Sequence, residues 1–227
     1  KKEAKKLAAS LINVANGLGC DTTAILTDMN EPLCSSVGNS LEILKVIDVF
    51  NGKAKEEKLL EDVFTLGGQI LANVNLANGL SHGLRLMKRA FENGLAAEVF
   101  EKMVFALGGK ANFLAQARYT LPTAPIIEDV YSNSEGYVTS IDNRAIGMAV
   151  LELGGARRRS DDIVDYSVGF ENLLGMNDRV DTKVPLARIH ARDNKTLELA
   201  KALVIDAYEI SSYQSKKKRP TIIEQLS

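Results

Sequence analysis

Tryptophan is missing from this 227-residue sequence, and cysteine and histidine occur only twice each. Cys20 and Cys34 are too few for a disulfide framework, which points to a reducing compartment and a cytoplasmic protein. His82 and His190 lack the ligand spacing of a zinc site and read as structural. No apolar run reaches the roughly 18 residues a membrane helix needs, and no signal-peptide pattern opens the chain. Net charge is near zero, at −1, so neither nucleic acid nor an anionic membrane is an expected partner. There is no C-x-x-C pair, no nucleophile elbow, no Ser/His/Asp ordering and no internal repeat. What remains is an ordinary globular composition, 45% hydrophobic and 25% charged, long enough for one large domain or two small ones.

The organising stretch is Thr22 to Leu33 with the turn after it, Cys34-Ser-Ser-Val-Gly38-Asn39. Thr22 to Leu26 is apolar and β-prone between helical patterns, which predicts a buried strand of an α/β sheet. Upstream, Leu7, Leu11, Ile12 and Val14 mark a helix that should stop at Asn16-Gly17, with Gly17 in the left-handed position. The sequence starts at Lys1 without Met and already in helical rhythm, which predicts a piece of a longer protein. Downstream, Asn39 or Ser36 can cap a helix from Ser40 to Phe50. Further helices are predicted from Glu57 to Ala77, Leu80 to Glu92 and Leu95 to Leu107. Gly67-Gly68 inside the second of these four costs about 1 kcal/mol each relative to Ala, which close helix packing would justify.

Leu121-Pro122-Thr-Ala-Pro125 predicts a domain boundary. Ile126 to Ser132 and Gly136 to Ile141 read as strands joined by the turn Asn133–Gly136. Asp142 should cap a helix, Arg144 to Leu153, that Gly154-Gly155 stops. Short β segments follow around Ile163 to Phe170, Arg179-Val180 and Pro185 to His190, then a helix from Lys195 to Tyr208. Lys216–Arg219 reads as a solvated tail. The run Gly175 to His190 has the rhythm of a biotinyl or lipoyl half-motif without its lysine hairpin, which predicts sandwich geometry and no swinging arm.

Two polar loops admit alternative readings. Gly154-Gly-Ala-Arg157-Arg-Arg159 follows a helix, so it reads better as a solvated basic turn than as a phosphate loop. Ser35-Ser-Val-Gly38-Asn39 precedes a helix, where either anion binding or a plain cap would fit.

Five segments taken together resemble the thymidine and pyrimidine-nucleoside phosphorylases: Leu26-Thr-Asp-Met-Asn-Glu-Pro-Leu33, Ser35-Ser-Val-Gly-Asn39, Glu92-Asn-Gly-Leu-Ala-Ala-Glu-Val-Phe100, Ala145-Ile-Gly-Met-Ala149 and Asp165-Tyr-Ser-Val-Gly-Phe170. The last leans toward the thymidine-preferring branch. The resemblance implies a pentosyltransferase of nucleoside salvage that converts thymidine and phosphate to thymine and 2-deoxy-ribose 1-phosphate. It implies inorganic phosphate as co-substrate, no cofactor, and a homodimer at full length. The family's phosphate-holding Lys-His-Ser segment and Gly-rich loop, its base-holding Arg, Ser and Lys, and its N-terminal helical domain have no counterpart here. The chain therefore resembles a C-terminal half, silent in catalysis by itself, with no catalytic or substrate-binding residue of its own.

The resemblance also implies a monovalent metal site in some members, with backbone carbonyls at positions matching Leu33 and Ser36 and a carboxylate where this sequence has Lys45. An ammonium there would repel the ion or take its place.

The expected fold is α/β: a partial mixed sheet with flanking helices over residues 1–120, then a smaller α+β domain of hammerhead or barrel-sandwich type over 121–227. Besides the thymidine phosphorylase portion, two readings remain: a paralogue acting on another nucleoside or nucleotide, and a stand-alone binding or scaffold module.

Overall fold

The computed structural model describes residues 1–215 and 220–226. The expected solvated run Lys216–Arg219 lies outside them. In chain order the elements are α1 Lys2–Gly17, β1 Ala24–Thr27, α2 Asn39–Phe50, α3 Glu57–Asn73, α4 Leu80–Glu92 and α5 Leu95–Ala106. They continue with α6 Phe113–Thr120, β2 Ile126–Val130, β3 Gly136–Ile141, α7 Asn143–Leu153, β4 Gly169–Glu171 and β5 Arg179–Val180. The rest are β6 Ala187–Ala191, α8 Asn194–Ala207, β7 Tyr208–Ser211 and β8 Ile222–Leu226. The class is mixed α/β, with small antiparallel sheets and, among the described residues, no closed barrel. No described helix is long and apolar enough to cross a membrane.

The chain divides into two compact units. The first comprises Lys1–Asp28, Glu56–Met103 and Arg219–Ser227. Its sheet is β1 paired with β8, so the expected fully buried strand is a half-buried one of four residues. Glu224 of β8 takes Lys5 at 2.5 Å, while its neighbour Gln225 donates to Gln69 of α3 at 2.8 Å. Successive side chains on a strand point to opposite faces, so α1 and α3 cover the two sides of this sheet. Gly19, with φ +80°, takes the left-handed position expected of Gly17 after α1.

α3 and α4 meet at glycines. A Cβ on Gly68 would lie 2.8 Å from the Leu84 nitrogen, and one on Gly83 would overlap the backbone of Gly68. The ring of Phe64 meets Phe91 edge-on with centroids 5.6 Å apart, which extends the same contact. Close helix packing thus explains Gly68 as the sequence suggested. α3 also carries Asp62, Thr65, Gln69 and Asn73 along one face. Gln69 and Asn73 bond each other at 2.6 Å and reach Thr23 before β1.

The second unit, Met29–Lys55 with Val104–Lys218, holds two three-stranded sheets, β2-β6-β4 and β5-β3-β7. β2 and β3 therefore enter different sheets instead of forming a hairpin, and so do β5 and β6, where a sandwich hairpin was expected. The reason is in the side chains. Ile126 and Val130 follow the inward face of Ala187, Ile189 and Ala191, while Val138 and Val180 meet the same core from the other sheet. Phe170, Ile146, Leu153, Leu186 and Val204 complete that core, all sealed from solvent. Both ends of α7 match their sequence signals, and Asp193 caps α8 without having been singled out. The Asp142 carboxylate accepts from Ala145 N–H at 2.9 Å, Gly154 closes α7 at φ +92°, and Asp193 accepts from Thr196 N–H at 2.8 Å. α6 and β7, and β8 in the first unit, had no sequence forecast.

Gly83→Ala is expected to lower stability by about 1–3 kcal/mol through overpacking. Gly147 sits in α7 with open space around it, so Gly147→Ala should instead be neutral or stabilise by up to ~1 kcal/mol. Urea unfolding of both variants checks the contrast.

Candidate functional site

The loop after β1 and the segment around β4 are far apart in sequence, yet the second unit lays them backbone to backbone. Val37 N–H donates to the Phe170 carbonyl at 2.9 Å and Phe170 N–H to the Val37 carbonyl at 2.7 Å. Leu173 N–H donates to the Ser35 carbonyl at 3.0 Å, and Ser40 N–H to the Tyr166 carbonyl at 3.1 Å. Two glycines make the approach possible. Gly38 has φ +128° and Gly169 φ +148°, and a Cβ on either would come within about van der Waals overlap of the other's Cα, at 3.0 and 2.9 Å.

Two N–H groups at the start of α2 are engaged within the protein: Gly38 N–H donates to Glu42 Oε1 at 3.1 Å, and Ser40 N–H to the Tyr166 carbonyl at 3.1 Å. Neither Asn39 nor Ser36 caps the helix by its side chain. Asn39 Nδ2 instead reaches the Gly155 carbonyl at 3.4 Å. The basic turn is held by its own acids, with Arg158 paired to Glu152 and both Arg158 and Arg159 N–H donating to Asp162 Oδ2 at 2.9 and 3.0 Å.

Next to the docked loop lies a charged face of the β2-β6-β4 sheet. The register sets Arg188 directly between Asp129 of β2 and Glu171 of β4. Its guanidinium grips Asp129 through Nε at 2.7 Å and Nη2 at 3.0 Å, leaving Nη1 3.7 Å from Glu171. Two residues along β6, His190 is 7% exposed and places Nε2 3.7 Å from Glu171 Oε2, too far for a hydrogen bond; that nitrogen has none. The imidazole, with Arg188 and Lys45 adding positive potential, outweighs burial and holds the Glu171 carboxyl below the usual carboxylate range. The bidentate Arg188 contact lowers Asp129 likewise. From α6, Arg118 Nη2 meets both oxygens of Asp48 on α2 at 2.7 and 2.6 Å.

Leu33 and Ser36 fall in the docked loop, Ser36 being buried. Lys45, on α2, is close enough to Glu171 to stabilise its charge. Glu171, Arg188 and Asp129 were not singled out from sequence. Their signal was available in principle as an acid–base–acid set at matched strand positions, but only once the strand register is known. His82, as expected, is structural: its Nδ1 accepts from Asn78 N–H at 3.0 Å ahead of α4.

Residues 137–211 match the family model described as the pyrimidine nucleoside phosphorylase C-terminal domain. Over that span the chain is similar to that C-terminal domain. The matched span runs from Tyr137 in β3 to Ser211 at the end of β7. It contains α7, β4, β6 and α8, and with them Asp165-Tyr-Ser-Val-Gly-Phe170, Glu171, Arg188 and His190. The matched span thus supplies the surface on which the Ser35–Asn39 loop is docked.

Glu171→Gln tests the electrostatics. A carboxyl lowered in the folded state stabilises above its unfolded pKa, and that stabilisation fades as pH falls through the folded value. Wild type should therefore exceed Glu171→Gln in melting temperature at pH 7, with the gap closing as the pH is taken below about 4.5, the ordinary value for Glu. A constant gap across that range contradicts the assignment.

Proposed function

We propose that this chain is the C-terminal portion of a thymidine phosphorylase, which cleaves thymidine with inorganic phosphate to thymine and 2-deoxy-ribose 1-phosphate. The observation that carries the reading is the family match over 137–211, which includes the Asp165–Phe170 segment. In such a reaction phosphate attacks the anomeric carbon, the glycosidic bond breaks and the leaving pyrimidine takes the electron pair. Cationic and hydroxyl groups must orient the phosphate, and donors must stabilise the base. Two basic side chains at the charged face are already paired with carboxylates: Arg188 with Asp129 and Arg118 with Asp48. We therefore place the reacting groups in the other half and give this portion a supporting role, within a cytoplasmic homodimer. We place the boundary between the whole protein's domains near residue 121, with residues 1–120 going with the substrate-holding α/β domain and 121–227 with the C-terminal domain, from whose end β8 returns to pair with β1.

The first unit is consistent with a portion. β1 has only β8 as a partner among the described residues. Beside it, Leu7, Leu11 and Val14 form an exposed stripe on α1 that Leu18 continues past its end, and Val63, Leu66 and Ile70 form another on α3 that Val74 continues. Apolar stripes at helical spacing are ordinarily covered.

At the Leu33–Ser36 loop we propose that the Lys45 ammonium, balanced by Glu171, stands where relatives hold a monovalent cation. Potassium should then leave the melting temperature of wild type unchanged while raising that of Lys45→Glu. A potassium response in wild type counts against it.

Phosphorolysis of thymidine, followed as thymine release, tests the main reading. The chain alone should be inactive, and co-expression with the N-terminal half should restore turnover. Activity of the chain alone overturns the placement of the reacting groups, and silence of the mixture favours a stand-alone binding module. Light scattering of the chain alone should show concentration-dependent self-association through the uncovered stripes and the β1 edge. A monodisperse monomer at high concentration speaks against an uncovered interface.

A further inference from the structure

We draw no further inference here: the strongest candidate, the pair of exposed apolar stripes on α1 and α3 on either side of the two-stranded sheet, belongs to the reading already proposed, and nothing in the structure shows what else covers it.

Discussion

Two backbones cannot approach as closely as those at Gly38 and Gly169 if either carries a side chain, and the second unit is arranged around that contact. Both residues sit at positive φ, where any L side chain is strained, and a Cβ on Gly38 or Gly169 would run into the carbonyl oxygen of Val168 or Val37, respectively. The reciprocal bonds between Val37 and Phe170 follow from the approach. They in turn fix where α2 starts, because Gly38 is its N-cap. They also seat Phe170, one of the fully buried side chains, in the core. A glycine pair therefore does for this loop what a hydrophobic anchor does for most loops.

The sheet that receives the loop separates two kinds of chemistry by strand alternation. One face gives Phe170, Ala187, Ile189 and Val130 to the core. The other gives Asp129, Arg188, His190 and Glu171, with the Arg188 guanidinium set between two carboxylates and His190 beside Glu171. Pairs this exposed contribute modestly to stability. The value of the arrangement is positional, since a one-residue slip of β6 would put Arg188 into the core and Ile189 among the charges.

Much of this was legible in the residues. Periodicity located the helices, and Asp142 and Gly154 bracketed α7 because caps are local chemistry. Gly67-Gly68 announced a close helix contact whose partner, Gly83, only the fold could supply. Strand partnership was not legible: β2 and β3 are adjacent in sequence and look like a hairpin, but burial sends them to separate sheets. α6 and β7 are short and follow strong signals from their neighbours, so no period distinguishes them. The charged face escaped for a related reason, because Asp129, Glu171 and Arg188 converge only through long-range register. The family resemblance named the segments that meet at the docked loop, but not the contact between them.

The pairing of β1 with β8 bears on how the protein is made. Thr27 faces Ile222 across that sheet, with the whole second unit between them along the chain. During synthesis β1 emerges before the second unit and cannot pair with β8 until that unit has left the ribosome. The second unit, whose core residues lie mostly in one continuous run, can complete first. The core of the second unit should then mature first, and the pairing of β1 with β8 should close after it.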